Sequence, residues 1–181
     1  GGRISPYDEV IKKYADKMNW PWLLLASVIY EESNFDPNAV SWTGATGLMQ
    51  VLPETASKYG VDTVALAEPE HNIMAGASYL EWLYGFWLDE LNQDSTEAIP
   101  FTLASYNAGL GHVKDARRLA EKYEKDPFKW EANVAEMILR KSKPEYYQDE
   151  VVKHGYCRGS EPYNYVKDIN AIYEHYRNFS K

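Results

Sequence analysis

Residues 21–35 read PWLLLASVIYEESNF, a nearly unbroken apolar run that ends in two neighbouring glutamates. Proline is favoured in the first turn of a helix, and the apolar residues after it leave almost no polar face. The pattern therefore predicts a largely buried helix from Pro21 to about Asn34. Glu31 and Glu32 stand at its end, although carboxylates are seldom placed in an apolar environment.

The two glutamates differ in their position around this predicted helix. At about 100° per residue, Glu32 falls within the stripe formed by Leu25, Val28 and Ile29, and Glu31 faces another side. A carboxyl group in an apolar setting has a raised pKa, which suits a general acid near neutral pH. From this helix alone, a glutamate that is hydrogen-bonded to a loop amide or to water remains the more frequent explanation.

Helix signals dominate the rest of the chain, and strand signals are nearly absent. A capping serine and a proline, Ser5-Pro6, indicate a first helix. Further helices are predicted at 53–59, from Pro69 through Leu88, and at about 96–106, 110–124, 130–140, 144–153 and 162–176. We expect one all-α globular domain over residues 1–181 with about eight or nine helices. The segment FDPNAVSWTGATG at 35–47 is rich in turn residues and predicts a loop directly after the two glutamates.

Composition and charge exclude several classes of function. The net charge of −8 disfavours nucleic acid as a partner, because phosphate binding needs a basic surface. Four histidines stand far apart in the sequence, so we expect neither a metal site nor a cofactor. The longest apolar run, around residues 23–30, is too short to span a bilayer. The single cysteine, Cys157, is predicted to be structural.

Three ordered blocks carry a more specific signal: ESNFDPNAVSWTGATGLMQVLPETA at 32–56, ASYNAG at 104–109 and NYVKDI at 164–169. In this order and spacing they resemble the lytic transglycosylases, lysozyme-like enzymes that cleave bacterial peptidoglycan. KHGYCRGSEPYNYV at 153–166 is similar to the membrane-bound type F subgroup, in which a solute-binding-like domain usually precedes the catalytic one. Gly1-Gly2 is typical of an expression scar, so we expect a leader, an anchor or such a domain in the full-length protein.

The resemblance implies a lysozyme-like fold and a role for each matching residue. It implies that Glu32 is the catalytic acid and base and that Glu31, which is often Gln in the family, has no chemical role. The substrate-binding residues it implies are Ser41, Met49, Gln50, Asn107 and Tyr165. For Met49 and Tyr165 considered alone, packing in the core is the commoner explanation. Asp36 precedes Pro37 and is predicted to serve a turn rather than act as a second carboxylate.

The resemblance also implies the reaction. Glu32 would protonate the bond between N-acetylmuramic acid and N-acetylglucosamine and then accept the proton of the sugar's own 6-hydroxyl. That hydroxyl would close a 1,6-anhydro ring, with the 2-acetamido group stabilising the cationic centre. The alternatives are a goose-type lysozyme that uses water and an inactive peptidoglycan-binding module. The expected partner is the glycan strand, and the expected location is the bacterial cell envelope, in the periplasm and associated with the outer membrane.

Overall fold

The computed structural model of the protein describes residues 2–181, and this part of the chain is helical without a β-strand. Its ten α-helices confirm the predicted all-α class and exceed the predicted number by the short α4. They are α1 Asp8–Lys17, α2 Trp22–Ser33, α3 Pro53–Lys58, α4 Thr63–Leu66, α5 Pro69–Glu90, α6 Ser95–Ala108, α7 Leu110–Lys122, α8 Ala135–Arg140, α9 Pro144–Tyr147 and α10 Ser160–Phe179. None of the helices in this described part is long and apolar enough to cross a membrane.

The start of α1 uses the predicted capping serine, although the α-helix itself begins at Asp8. The Ser5 hydroxyl accepts a hydrogen bond from the Tyr7 N–H at 3.1 Å and donates to the Asp8 carboxylate at 2.8 Å. Asp8 in turn accepts the backbone N–H of Ser5 at 2.8 Å. This reciprocal pairing satisfies donors that the first turn of a helix would otherwise leave without a partner.

The chain forms two compact units. The first comprises the chain up to Glu81 together with Asp168–Lys181, and the second comprises Trp82–Lys167, so the boundaries fall inside α5 and α10. The single domain predicted over residues 1–181 stays a prediction.

The first unit is built around α2. All six residues from Leu24 to Ile29 are buried, as an apolar run without a polar face predicts. Helix α1 packs against α2 and contributes the fully buried Ile11. Leu48 and Ile73, from the loop after α2 and from α5, are also fully buried in this unit.

The second unit is built on α6, α7 and α8, with α7 packed against the other two. Its core contains an aromatic cluster in which Phe101 lies between two tryptophans. The ring centroid of Phe101 is 4.9 Å from that of Trp87 and 5.5 Å from that of Trp130. The indole N–H of Trp87 donates to the Ser105 hydroxyl at 2.9 Å, so the polar atom of this fully buried ring is satisfied.

Two predicted helices differ from the observed ones. The helix predicted over 130–140 begins with an irregular π-helical turn, in which Ala132 has a φ of 62°, and becomes α-helical only at Ala135. The helix predicted over 144–153 was wrong beyond Tyr147. The backbone N–H groups of Lys153 and His154 donate to the Asp115 carboxylate at 2.8 Å each, instead of to carbonyls one turn earlier. A side chain from another helix therefore holds this segment out of the helical conformation.

Candidate functional site

Glu32 lies on the last turn of α2 and is half-buried. The helix ends at Asn34, whose φ of 52° and ψ of 38° place it in the left-handed region that terminates many helices. The Ser33 hydroxyl contacts the carbonyl of Ile29 at 3.1 Å and that of Leu48 at 2.8 Å. The helix end that carries Glu32 is therefore tied to the far side of the loop that follows it.

The loop predicted over 35–47 continues to Leu52, since α3 begins only at Pro53, and Gln50 bridges its two sides. The Gln50 side-chain amide donates to the carbonyl of Ala39 at 3.0 Å and to that of Gly47 at 2.9 Å. The N–H of Gly47 also donates to Ala39, at 2.7 Å. The loop is thus closed by side-chain and backbone bonds, and the substrate-binding role predicted for Gln50 stays a prediction.

Ser41 organises the outer turn of the same loop. Its N–H donates to the carbonyl of Ala45 at 2.9 Å, and its hydroxyl accepts the N–H of Ala45 at 3.0 Å. The same hydroxyl lies 2.8 Å from the hydroxyl of Thr43. Asp36, at the start of the loop, accepts the N–H of Asn38 at 2.9 Å, which confirms the turn role predicted for it.

Met49 lies in the core of the first unit. Its side chain is fully buried and packs where a side chain on Gly76 would stand, because a β-carbon built there would lie 2.6 Å from the Met49 sulfur. The absence of a side chain at Gly76 therefore makes room for Met49. A direct role of Met49 toward a substrate stays a prediction.

Asn72 is the residue of this site that the sequence reasoning missed. It lies on α5, is 1% exposed, and its amide donates to the carbonyls of Thr46 at 2.8 Å and Leu66 at 3.0 Å. Its oxygen accepts the N–H of Met49 at 2.8 Å. A β-carbon on Gly47 would lie 2.3 Å from the Asn72 amide nitrogen, so glycine permits this close approach. The available signal was an asparagine near the start of α5, directly before its long apolar stretch.

We predict that Asn72→Ala lowers the free energy of unfolding by about 2–3 kcal/mol, because three hydrogen bonds are lost and buried backbone groups are left without partners. Activity at a temperature where the variant is still folded should fall as well, because the loop beside Glu32 loses its anchor. Chemical denaturation and a cell-wall lysis assay measure the two effects. The exposed Asn38→Ala is the matched control, and equal stability losses in both variants would contradict the anchoring role.

Glu31 has a different environment from Glu32. Burial raises the pKa of the Glu31 carboxyl, and the negative charge of Asp168 and a hydrogen bond between the two carboxyl groups raise it further. Asp168 belongs to the same compact unit and comes from α10. Glu31 therefore holds its proton more strongly than an isolated glutamate would.

This pair predicts a pH dependence of stability. Since the folded protein binds a proton at Glu31 more strongly than the unfolded chain, the contribution of Glu31 to stability should fall as pH rises from the ordinary value of 4.5 through the raised pKa. Glu31→Gln removes this loss, so its advantage over the wild type should be absent below 4.5 and should grow above it. Thermal unfolding across this range measures the difference, and a pH-independent difference would contradict the prediction.

The remaining two predicted residues belong to the second unit. Asn107 is exposed near the end of α6, directly before Ala108 and the glycine that separates α6 from α7. That glycine, Gly109, has a φ of 104°, which other residues rarely adopt. Tyr165 on α10 is 5% exposed. The roles predicted for Asn107 and Tyr165 stay predictions.

The second unit also contains a fully buried ion pair. The Asp115 carboxylate and the Lys141 ammonium are both 0% exposed and lie 2.8 Å apart. Asp115 also accepts hydrogen bonds from Arg118 and from the backbone N–H groups of Lys153 and His154. Burial alone would raise the pKa of Asp115, but these donors outweigh it and lower the pKa to about 2.

Lys141 has a second partner in His112, whose Nδ1 lies 2.8 Å from the ammonium. Because an ammonium can only donate, Nδ1 of His112 must be an acceptor. Burial and the positive charge of Lys141 lower the pKa of His112. His112 is thereby held in its neutral form beside a buried cation.

No group of three or more histidine, cysteine, aspartate or glutamate side chains in residues 2–181 has the arrangement of a metal site. The chemistry available at α2 and its loop is that of a half-buried carboxyl group beside a loop held by amide and hydroxyl bonds.

Comparison with known proteins gives a family match. The family described as "Transglycosylase SLT domain" matches residues 9–129. A membrane-bound lytic murein transglycosylase F of Maricaulis maris is 40% identical over 167 residues, which cover 92% of this chain and 35% of the relative. The transglycosylase of the same name from Marinobacter nauticus is 38% identical over 172 residues, which cover 95% of this chain and 33% of the relative. The chain thus spans about a third of the length of these relatives.

A solved structure agrees with the fold. The crystal structure of the 70 kDa soluble lytic transglycosylase from Escherichia coli matches with a TM-score of 0.65 and 26% sequence identity. The match covers 96% of this chain and 24% of that chain. The predicted lysozyme-like fold is confirmed by this likeness.

Proposed function

Because the chain belongs to the transglycosylase SLT domain family, we propose that it is a peptidoglycan lytic transglycosylase with Glu32 as its catalytic acid and base. The observation that carries the proposal is the position of Glu32. It lies half-buried at the end of α2, beside a loop that Ser33, Gln50 and Asn72 hold in place. The substrate is the glycan strand, cut between N-acetylmuramic acid and N-acetylglucosamine.

In the proposed reaction, protonated Glu32 gives its proton to the glycosidic oxygen as the bond to the anomeric carbon breaks. The muramic 2-acetamido group stabilises the positive charge at that carbon, so no second carboxylate is required. The Glu32 carboxylate then accepts the proton of the 6-hydroxyl, whose oxygen bonds to the anomeric carbon. Holding that hydroxyl against the reacting carbon supplies a large share of the rate enhancement.

The other motif residues have supporting roles in this proposal. Gln50 and Ser41 shape the loop that follows Glu32, and their bonds within the loop keep it ordered before substrate binds. Asn107 and Tyr165, which belong to the second unit, take part in binding the glycan strand. The chain acts in the bacterial cell envelope, on its periplasmic side, as part of a longer protein of the kind named membrane-bound among its relatives.

The alternative that shares the acid is a hydrolase that uses water as the nucleophile. Such an enzyme uses a second carboxylate to activate the water. The carboxylate of Asp36 is bonded to the N–H of Asn38, which favours a turn role over that one.

Digestion of purified sacculi separates the two reactions. If the 6-hydroxyl attacks, every cut leaves a 1,6-anhydromuramoyl end that borohydride cannot reduce and that is lighter than the hydrolytic product by one water. We expect mass spectrometry to find these ends. A digest dominated by reducible ends would overturn the transglycosylase reaction and retain Glu32 as the acid, and an absence of new ends would overturn the enzymatic proposal altogether.

A further inference from the structure

The loop after α2 exposes a large aromatic side chain to solvent. Trp42 is 97% exposed, the highest fraction for any large apolar residue in the described part of the chain. Val40, two residues earlier, is 67% exposed. Single exposed apolar residues are common, but a tryptophan left almost wholly in water gains nothing from folding. Its position therefore suggests a contact that forms only when something binds.

The backbone around Trp42 is well held. Ser41, before it, pairs with Ala45 through both backbone and hydroxyl bonds, and the N–H of Gly44 donates to the Ser41 carbonyl at 3.0 Å. Val40 pairs with Thr46 in a short bridge. Trp42 is thus presented on an ordered turn, so binding would require little further loss of backbone entropy.

The same loop is tied to the end of α2 that carries Glu32. The Ser33 hydroxyl bonds to the Leu48 carbonyl, and the Gln50 amide closes the base of the loop on Ala39. Trp42 is therefore the exposed tip of the structure whose base stands next to the proposed catalytic acid.

We propose that Trp42 stacks on a sugar ring of the glycan strand and is a substrate-binding residue of this site, a role that rests on the proposed function. A pyranose ring presents C–H groups on its face and hydroxyl groups at its edge. A flat indole with few rotatable bonds suits such a face, and the hydroxyl groups of Ser41 and Thr43 flank it in the sequence. An anionic lipid surface is a poorer partner, because Asp36 is the only charged residue from Phe35 to Leu52 and the net charge is −8.

The test measures binding without turnover. In a Glu32→Gln background, isothermal titration with an oligomer of alternating N-acetylglucosamine and N-acetylmuramic acid gives the Kd. Trp42→Ala should raise this Kd about tenfold, as expected for the loss of one good contact. Trp42→Phe keeps a flat ring and should recover most of the affinity. The matched control is Phe179→Ala, which removes another exposed aromatic ring from the same unit and should leave the Kd unchanged.

Kinetics with Glu32 intact provide a second measurement. Because stacking on a sugar ring stabilises the ground state and the transition state equally, Trp42→Ala should raise KM on sacculi and leave kcat nearly unchanged. An unchanged Kd and KM would overturn the inference. It would also be overturned if Trp42→Ala lost only the ability to sediment with phosphatidylglycerol vesicles, because Trp42 would then bind a lipid surface rather than the glycan. If the wild type digests sacculi and Trp42→Ala binds like its parent, only this inference fails. If the wild type neither binds nor cuts glycan, the proposed function fails and the inference with it.

Discussion

Replacing Glu32 by glutamine should lower the rate of peptidoglycan cleavage by about a hundredfold to ten-thousandfold, the range that general acid–base groups contribute. The amide has nearly the same shape as the carboxyl but cannot deliver or accept the proton that bond cleavage and ring closure require. The half-buried position of Glu32 at the end of α2 should accept glutamine without loss of the fold. A cell-wall lysis assay and thermal unfolding of the same preparation measure both properties.

The control for this result is its neighbour in the sequence. Glu31→Gln keeps the hydrogen-bonding capacity toward Asp168, and we expect it to retain most of the activity. A comparable loss of activity in both variants would contradict the assignment of Glu32 as the catalytic acid. It would indicate instead that the two carboxyl groups act together.

The largest effect on stability should follow from Asp115→Leu, which we expect to lower the free energy of unfolding by about 3–5 kcal/mol. The substitution leaves the fully buried ammonium of Lys141 without its carboxylate. It also removes the acceptor for the N–H groups of Lys153 and His154, and with it the support of the segment after α9. Denaturant unfolding followed by circular dichroism measures the change.

A double variant tests this explanation. Adding Lys141→Met to Asp115→Leu removes the unpaired buried charge, so the pair of changes should be less destabilising than Asp115→Leu alone. The exposed pair formed by Arg177 and Glu174 supplies a control, and Glu174→Gln should change the free energy of unfolding by less than about 1 kcal/mol. Additive losses in the double variant would show that the buried ion pair is not the cause.

The same cluster should make the protein sensitive to acid. The pKa of Asp115 is about 2 in the folded protein against an ordinary 3.8, so its contribution is complete above 3.8 and is lost as pH falls toward 2. The lowered pKa of His112 has the same sign, and its contribution is complete above 6.5 and declines as pH falls through the folded value. Two successive decreases in stability during acid titration are therefore expected.

The sequence predicts the parts of this structure that depend on local patterns. Three local signals predicted helices close to the observed ones: the apolar run of α2, the proline that starts α5 and the glycine after α3. Each of these signals acts on neighbouring residues. The loop after α2 was also predictable from its glycines and its Asp36-Pro37 pair. Family resemblance then identified candidate residues within that loop, which periodicity alone could not single out.

Long-range contacts account for what the sequence did not predict. The segment after α9 has helical composition, but its N–H groups bond to Asp115, which lies 38 residues earlier than Lys153 in the chain. Asn72 accepts a hydrogen bond from the N–H of Met49, which lies 23 residues earlier in the chain. Polar side chains of this kind appear in the sequence as single letters without a period, so their partners become visible only in the folded protein.

The thiol of Cys157 can report on the opening of the region around the buried ion pair of Asp115 and Lys141. Cys157 is the single cysteine of the chain, it is 6% exposed, and its N–H donates to the carbonyl of Lys141 at 3.3 Å. Burial raises the pKa of its thiol, so it reacts slowly with alkylating reagents while the surrounding structure is closed. The alkylation rate of the unmodified protein consequently measures how often this region opens, separately from unfolding of the whole chain.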